Sequence, residues 1–402
     1  MALSSTRTNA SRAAVLAFLG THGAASRAEI ARSLEVSPAL VTKLARELLA
    51  DQLIIELTHS PSRGGRPAQL IGLASHDIGA IGVKVAPDHL TMVEVGIDGE
   101  VTHVETRDFE ASSPHALATL VTAVSEVVKL STRRTQLGIG VGIPGSVQEQ
   151  SEHSVNSTQL GWTNVPLGSA LQSATNLPVL IDNNVSALAL AESLYGTGRG
   201  HDHFLVVTIG SGVGAGIVSH GSIIRGHSGN AGEIGHIPVT TDGPVCNCGA
   251  TGCLEAAIKE ESLVRQARSA GVIGPHDGIG ALEVRGAAGD PRAQEVFANA
   301  GRLFGRAVAG VVNTLDPEIV IVLGEGAASW PLWAAGFEPA FRPALIPQKR
   351  GIQVVVEGWQ DDRWAQGAAC LILSTPFDDA GVSGKQGHLI RERLTTHAGA
   401  PS

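Results

Sequence analysis

The sequence predicts an α/β fold, in which a small N-terminal winged helix-turn-helix is followed by a larger body in two lobes. Three observations lead to this class. Two short helical patterns separated by a tight turn lie near the N-terminus, and the charge changes sign after about residue 72. Strand patterns then alternate with helical patterns over about 300 residues. At 402 residues, the chain is long enough for two or three domains.

The composition is that of a folded protein from a reducing compartment. Hydrophobic residues make up 43% of the chain and charged residues 17%, which excludes a disordered protein. No apolar run approaches the roughly 20 residues of a membrane helix, and the N-terminus lacks a signal-peptide pattern. Four unevenly placed cysteines do not form a disulfide framework. We therefore expect a cytoplasmic protein with no membrane partner.

The charge is distributed unevenly along the chain. Residues 1–72 hold eight Lys/Arg and five Asp/Glu, a net charge of +3. The whole chain carries -9, so the remainder carries -12. A basic segment joined to an acidic body is typical of a nucleic-acid-binding module attached to a domain with another task.

Residues 26–50 read as two helices, each with its own start signal. Ser26 and Glu29 form a capping box before the first helix. Ser37 and Pro38 supply an N-cap and a first-turn proline for the second helix. The outer face of this second helix is small, polar and basic, as in a helix that enters the major groove. The predicted DNA contacts on and before this helix are Ser37, Ala39, Thr42, Lys43 and Arg46.

Residues 53–73 (LIIELTHSPSRGGRPAQLIGL) predict two strands around a Gly/Pro-rich loop, which is the wing. Arg63 and Arg66 lie at its tip and suit a narrow minor groove, so they complete the predicted DNA contacts. The alternative is a small helical bundle that packs against another protein. The basic wing and the charge asymmetry favour DNA. We place this domain at residues 1–75.

The body contains a series of buried strand patterns with helical patterns between them. The strand patterns are AIGVKV, LTMVEVGIDG, LGIGVGIPGSV, LPVLIDNN, HDHFLVVTIGSGVGAGIV and PEIVIVLGEG. We assign residues 76–375 to this body and place the boundary between its lobes near residues 187–200. Residues 376–402 are polar and glycine-rich. A short helix around HLIRERL could form there, but we expect a disordered tail.

Three of the four cysteines fall within eight residues, in CNCGATGC (246–253). His236 lies ten residues before the first of them. The predicted metal ligands are therefore His236, Cys246, Cys248 and Cys253. Three thiolates and one imidazole are a ligand set that Zn²⁺ prefers, and four protein ligands leave no open position. The sequence therefore predicts structural zinc, with a buried or reactive thiol cluster as the alternative.

The segment GEIGH (232–236) followed by CNCGATGCLE (246–255) resembles the ROK family of bacterial sugar repressors and sugar kinases. The segments GVGIPGSV (Gly140–Val147), LIDNNVSALALAE (Leu180–Glu192) and TIGSGVGAGIV (Thr208–Val218) resemble further motifs of that family. The resemblance covers about residues 78–375, and the winged head matches the repressor branch. It implies a two-lobed actin-like ATPase (sugar-kinase-like) fold with a sugar site in its cleft, and a homodimer or homotetramer.

The chain departs from the kinases of this family where phosphoryl transfer takes place. Lys84 stands at the position of an aspartate, and Ala86-Pro87-Asp88 replaces the Gly-Gly-Thr whose amides hold ATP phosphates. Pro87 has no amide proton to donate. Asn184 stands where the kinases have their catalytic aspartate, and an amide cannot act as a general base. We therefore predict no catalytic residues, and we interpret the glycine loop at Gly210 as structural.

The resemblance implies that the sugar hydroxyls are bound by Asn183, Asn184, Glu233, His236 and Glu255. Carboxylates accept hydrogen bonds and amides both donate and accept them, which suits a polyol. These features predict a sugar-responsive regulator, most simply a repressor of carbohydrate genes, that binds palindromic operator DNA. Two alternatives stay open: a sugar kinase with a regulatory DNA-binding head, and a DNA-binding protein whose body serves only in dimerisation.

Overall fold

The computed structural model describes residues 15–16, 18–20, 22–34, 36–50, 53–57, 69–74, 78–133, 135–148, 154–360, 362–375 and 384–396. The chain forms two compact units. The first comprises Met1–Gly200 together with Asp362–Ser402, and the second comprises His201–Asp361. The first crossing lies at the end of the predicted boundary region, 187–200. The chain returns to the first unit at Asp362, a second crossing that was not predicted.

The N-terminal domain is a winged helix-turn-helix within the first unit. Its elements are β1 (Ala25–Ser26), α1 (Arg27–Ser33), α2 (Pro38–Ala50), β2 (Ile54–Leu57) and β3 (Leu70–Leu73). The three strands form one antiparallel sheet in the order β1-β3-β2. The predicted wing strands are thereby confirmed. The predicted tip of the wing, with Arg63 and Arg66, lies outside the described residues.

Both predicted helix caps are present. The Ser26 backbone amide donates to Glu29 Oε2 at 2.8 Å, and the Glu29 amide donates to Ser26 Oγ at 3.3 Å. The Leu40 amide donates to Ser37 Oγ at 3.2 Å. These bonds satisfy amides that lack partners in the first helical turn. Helix α2 then packs inward through Val41, Leu44, Ala45 and Leu48, so its polar side faces outward.

The body of the first unit is built on a five-stranded sheet. The strands are β4 (Ile78–Val85), β5 (His89–Gly96), β6 (Val101–Asp108), β7 (Thr135–Ile143) and β11 (Val179–Asn183), in the order β11-β7-β4-β5-β6. A small antiparallel sheet contains β8 (Ser146–Gln148), β9 (Ser154–Ser157) and β10 (Trp162–Val165). The helices are α3 (Ala116–Leu130), α4 (Leu167–Thr175), α5 (Asn184–Leu194), α11 (Asp362–Ser374) and α12 (Gly384–Thr396).

Glycines on two neighbouring strands let helix α11 lie directly on this sheet. A Cβ added at Gly82 would lie 1.9 Å from the Ala365 carbonyl oxygen, and one at Gly140 would lie 1.8 Å from that of Ala368. Any larger residue would push the helix away from the strands. The glycines at positions 82 and 140 are therefore explained by contacts with residues that lie 283 and 228 positions later in the chain.

The C-terminal segment differs from the prediction of a disordered tail. Helix α12 spans Gly384–Thr396, and its Ile390 and Leu394 side chains are buried. Their spacing of four residues places both on one face of the helix. This stripe packs into the core of the first unit. The short helix around HLIRERL is thus present, and the prediction of a disordered tail is wrong for these residues.

The second unit has a mixed five-stranded sheet of its own. The strands are β12 (Phe204–Ile209), β13 (Val213–Ser219), β14 (Ser222–Ile223), β15 (Ile319–Leu323) and β16 (Gln353–Val356), in the order β14-β13-β12-β15-β16. The helices are α6 (Leu254–Ile258), α7 (Glu260–Ser269), α8 (Ile279–Ala287), α9 (Pro291–Leu315) and α10 (Trp330–Ala344). No helix in the described part of the chain is both long enough and apolar enough to span a membrane.

A buried carboxylate lies near the end of helix α5. The Glu192 side chain is completely buried, and its Oε1 accepts a hydrogen bond from Arg363 Nη2 at 2.6 Å. Its Oε2 accepts from the Thr197 amide at 3.0 Å. A charge in this position is tolerated because both oxygens have partners.

Replacing Glu192 with alanine should lower the free energy of unfolding by about 3 kcal/mol, because Arg363 is left without its buried counter-charge. Urea denaturation followed by circular dichroism measures the loss. The matched control is Glu126→Ala, which removes a half-exposed partner of Arg107 and should cost less than about 1 kcal/mol. Equal losses in the two variants would contradict this account of the buried pair.

Candidate functional site

The four predicted metal ligands come together in the second unit. His236, Cys246, Cys248 and Cys253 each offer one ligand atom, and these four atoms lie within 4.8 Å of one another. Cys246 Sγ lies 3.5 Å from His236 Nδ1, and Cys248 Sγ lies 3.7 Å from Cys253 Sγ. The cluster can therefore hold a metal ion.

These distances fit a tetrahedral site. Two sulfurs bound to one zinc ion at about 2.3 Å each lie about 3.8 Å apart in a tetrahedron, and a sulfur and an imidazole nitrogen lie about 3.6 Å apart. The Cys248 thiol is also suited to bind as a thiolate, because a backbone hydrogen bond involving Ala250 is the largest of several effects that lower its pKa to about 7. Burial instead raises the pKa of the Cys253 thiol to about 12.

The loop that carries the cysteines is held by backbone hydrogen bonds. The Cys246 amide donates to the Ala250 carbonyl at 2.8 Å, and the Gly249 amide donates to the Cys246 carbonyl at 2.9 Å. Gly249 and Gly252 have φ of +89° and +79°, values that favour glycine. A Cβ at Gly252 would lie 1.9 Å from the Thr240 carbonyl oxygen. Glycine is therefore required there for the loop to close around the cluster.

His236 connects the metal cluster to a carboxylate. Its Nδ1 faces Cys246, while its Nε2 lies 3.6 Å from Glu233 Oε2. Burial raises the pKa of Glu233, with a smaller raising effect from the Glu255 carboxylate and an opposing effect from His236. His236 and Glu255 thus act electrostatically on Glu233, and all three predicted sugar ligands of this unit are at least partly exposed.

Glu255 follows the last cysteine ligand by two residues and lies in the first turn of the short helix α6. Its Oε2 accepts a hydrogen bond from the Val213 amide at 3.1 Å. The carboxylate is thereby fixed at the start of β13, next to the glycine loop. Its second oxygen has no protein partner among the described residues.

The other predicted sugar ligands lie at a strand edge of the first unit. Strands β4, β7 and β11 are parallel, and Lys84 and Asp182 both pair with Gly142 of the central strand. Their carboxyl ends therefore meet at one edge, where ligands commonly bind in α/β sheets. Asn183 and Asn184 leave β11 at this edge.

The two asparagines differ in how their side chains are used. Asn183 Oδ1 accepts from the Val185 amide at 2.8 Å, and its Nδ2 donates to the Gly145 carbonyl at 3.0 Å. Asn183 therefore caps helix α5 and fixes the turn after β7. The side-chain amide of Asn184 is half-buried and has no hydrogen-bond partner among the described residues. Of the two asparagines, Asn184 is therefore the one whose side chain can bind a ligand.

The first phosphate loop of the kinases is replaced by a tight hairpin. The Ala86 amide donates to the His89 carbonyl at 3.0 Å, which closes the turn between β4 and β5. Pro87 has no amide proton, and Asp88 places its carboxylate 2.7 Å from His89 Nδ1. Pro87 thus removes one amide proton from this turn, and Asp88 brings a negative charge to it.

A carboxylate that sequence reasoning missed contacts the glycine loop of the second unit. A Cβ added at Gly210 would lie 2.1 Å from Glu325 Oε2. Burial and the carboxylates of Glu325 and Glu283 raise the pKa of Glu260, whose amide donates to the Gly210 carbonyl. The sequence signal is the GEG that follows β15: this strand runs parallel to β12, so its end lies beside Gly210.

The predicted DNA contacts of helix α2 all lie on its outer surface. Ala39, Thr42, Lys43 and Arg46 are exposed, as is Ser37 before the helix. Lys43 lies 3.9 Å from Glu47 one turn later, a weak surface pair. The described helix therefore presents the small, basic face that was predicted from the sequence.

Substituting both Lys43 and Arg46 with alanine should weaken binding to operator DNA at least ~10-fold, because both charges are exposed and free to meet phosphate or base edges. The slope of log Kd against log salt should also fall by about 1 for each lost phosphate contact. Fluorescence anisotropy at several salt concentrations measures both quantities. Lys129→Ala, an exposed lysine on helix α3, is the control. Unchanged affinity in the double variant would contradict this DNA-binding face.

Comparison with known proteins agrees with this fold. The xylose repressor of Caldicellulosiruptor bescii is 28% identical over 366 residues, covering 87% of this chain and 92% of that protein. The transcriptional dual regulator NagC of Escherichia coli is 30% identical over 372 residues, covering 90% and 91%. A crystal structure of a ROK family transcriptional regulator, a homologue of the E. coli MLC protein, matches with a TM-score of 0.81 and 27% identity, covering 96% of this chain and 99% of that one.

The protein has a winged helix-turn-helix followed along the chain by a sugar-kinase-like α/β body, and this body carries the His/Cys cluster. The ROK family profile matches residues 80–375, well over half of the chain. The chain belongs to the ROK family. Enzymes are also among its relatives: a glucokinase of Halalkalibacterium halodurans is 31% identical over 336 residues, covering 78% of this chain and 95% of that protein.

Proposed function

We propose that this protein is a sugar-responsive transcriptional regulator of the cytoplasm, most simply a repressor of carbohydrate uptake or catabolism genes. One observation carries the proposal: an exposed basic helix of DNA-binding type precedes a sugar-kinase-like body whose metal cluster is bordered by Glu233 and Glu255. Relatives named as xylose and N-acetylglucosamine repressors, similar over about nine-tenths of the chain, support it.

The metal in the cluster is zinc, in a structural role. Support comes from the donor set of three thiols and one imidazole, and from the two ligand-atom distances of 3.5 and 3.7 Å, which match tetrahedral values. Four protein ligands leave no coordination position for water. Bound zinc would tie the 246–253 loop to His236 and thereby fix Glu233 and Glu255, one on each side of the motif.

The proposed ligands of the sugar hydroxyls are Asn183, Asn184, Glu233, His236 and Glu255. Within the described part of the chain, one oxygen of Glu255 and the side-chain amide of Asn184 have no hydrogen-bond partner, which supports this set. Asn183 contributes mainly by fixing the turn at Gly145. His236 presents Nε2, since its Nδ1 faces the cluster.

The DNA-binding set comprises Ser37, Ala39, Thr42, Lys43 and Arg46 of the helix-turn-helix, with Arg63 and Arg66 of the wing tip. Homodimers or homotetramers would place two such domains on a palindromic operator, with half-sites about one helical turn apart or a multiple of that. Sugar binding would change the affinity of these paired domains for the operator.

Gel shifts test the proposal. Purified protein is mixed with DNA from upstream of its own gene, with and without D-xylose, D-glucose, N-acetyl-D-glucosamine or its 6-phosphate at millimolar concentration. We expect a shift that one of these sugars releases or strengthens. A shift that no sugar changes would favour the alternative of a dimerisation platform, and the absence of any shift at low salt would contradict DNA binding.

Kinase activity is the second candidate, which the glucokinase relatives favour. The β4–β5 hairpin with Pro87 and the amide at Asn184 oppose it. We therefore expect no phosphorylation of any hexose with ATP, measured by coupled ADP release. Turnover that is lost in an Asn184→Ala variant would establish the enzyme instead.

A further inference from the structure

Two segments connect the units: an outgoing segment (residues 195–200) and a returning segment that re-enters the first unit at Asp362. Both contact one buried carboxylate, that of Glu192. The chain leaves the first unit after Gly200 and returns at Asp362. Glu192 Oε2 accepts from the Thr197 amide on the outgoing segment, and Glu192 Oε1 pairs with Arg363 at the end of the returning one. A Cβ at Gly196 would lie 2.0 Å from Glu192 Oε2, so the outgoing segment packs tightly on this group. A single side chain therefore positions both segments.

The outgoing segment is also fixed to the first sheet. Tyr195 Oη donates to the Ile97 carbonyl at 2.8 Å, in the turn between β5 and β6. A Cβ at Gly99 would lie 2.7 Å from the Tyr195 ring, so that glycine leaves room for it. The segment then turns at Gly196, whose carbonyl accepts from the Arg199 amide at 3.2 Å. These hydrogen bonds fix the position of Arg199, which lies three residues after Gly196.

Arg199 lies against the DNA-binding domain. A Cβ at Gly23 would lie 3.3 Å from Arg199 Nη2 and 3.9 Å from Nη1, so the guanidinium packs over this glycine. Gly23 has φ of +76° and lies two residues before β1 of the winged helix-turn-helix. The chain thus places one arginine of the outgoing segment on the turn that introduces the helix-turn-helix.

Helix α5 joins this region to the proposed sugar ligands. Asn184 begins the helix and Glu192 lies near its end. The helix has 11 residues, so it is about 16 Å long. Eight of its 11 residues are buried, so the helix is packed into the first unit. A displacement of Asn184 on sugar binding would therefore reach Glu192 and the outgoing segment.

We propose that Arg199 is a positioning residue that couples sugar binding to the DNA-binding domain, an inference that rests on the proposed function. Its contact with Gly23 transmits movement of the outgoing segment to the helix-turn-helix. Arg199 is neither one of the proposed sugar ligands nor one of the proposed DNA contacts. Its removal should alter the communication between the two sites and leave binding at each of them intact.

Arg199→Ala tests the inference, with Arg268→Ala, an exposed arginine on helix α7, as control. Operator Kd is measured by anisotropy with and without whichever of D-xylose, D-glucose and N-acetyl-D-glucosamine changes it most in the wild type. We expect the sugar-induced change in operator Kd to shrink at least ~5-fold in Arg199→Ala. Sugar Kd from calorimetry, zinc content and Tm should stay at wild-type values, and Arg199→Lys should retain part of the response.

Three results would overturn the inference in distinguishable ways. A full sugar response in Arg199→Ala would remove the coupling role alone. Weaker operator binding with an unchanged sugar-induced ratio would make Arg199 a structural residue of the DNA-binding domain. A wild-type protein whose operator affinity responds to none of these sugars would overturn the proposed function itself, before any variant is compared.

Discussion

Cys253→Ser protein should lack its zinc and bind sugar at least ~10-fold more weakly than the wild type. Cys253 is the most deeply buried of the three cysteines in the cluster, and it links the 246–253 loop to helix α6. A serine hydroxyl is a poor zinc ligand, so a closed four-ligand site loses its metal. Without zinc, the positions of Glu233 and Glu255 are no longer fixed, and loss of such support typically costs about 10- to 100-fold.

Metal content is measured by inductively coupled plasma mass spectrometry, and sugar affinity by calorimetry on the same preparations. The matched control is Cys370→Ala, which removes a buried thiol outside the cluster and should retain full zinc and sugar affinity. Removing the metal from wild-type protein with a chelator should also lower Tm, because an ion that binds only the folded state stabilises it. Undiminished sugar affinity in zinc-free protein would contradict the supporting role of the metal.

Glu255→Gln should abolish most of the sugar response while zinc and operator binding persist. The Val213 amide can still donate to the glutamine oxygen, so the loop geometry is kept. The lost charge weakens hydrogen bonds from sugar hydroxyls by about 2 kcal/mol, or ~30-fold in sugar Kd. This substitution separates ligand binding from folding.

The control is Glu261→Gln, which neutralises an exposed carboxylate paired with Lys259 on the neighbouring helix. Its sugar Kd should stay at the wild-type value. If both glutamine variants respond to sugar as the wild type does, the body serves as a platform without a ligand at Glu255. Operator Kd in the absence of sugar shows whether the DNA-binding domain still functions in each variant.

Local signals in the sequence were sufficient for the head and the metal cluster. The Ser26 and Ser37 caps involve partners three residues away, and the ligands of the cluster lie within an 18-residue stretch. Such contacts are decided by neighbouring residues, so spacing predicts them. The hydrophobic stripe of α2 likewise determines which side is exposed, and hence which residues are candidates for DNA contact.

Long-range contacts were not predictable in the same way. Glu325 meets Gly210 only because β15 and β12 are parallel neighbours, a pairing that no local pattern encodes. The return of the chain at Asp362 likewise has no turn signal of its own. Helix α12 was mistaken for a disordered tail because its two buried residues, Ile390 and Leu394, are few among polar ones. Their burial depends on a groove supplied by distant segments.

The central claim is that sugar and operator bind to one protein with linked affinities. Linkage requires that any factor by which sugar changes operator Kd is also the factor by which operator changes sugar Kd. Calorimetric titration of the sugar into free protein and into the protein–operator complex measures the second factor directly. We predict that the two sugar Kd values differ by the factor seen in the operator titrations. Equal sugar Kd values in the free and DNA-bound protein would contradict the claim.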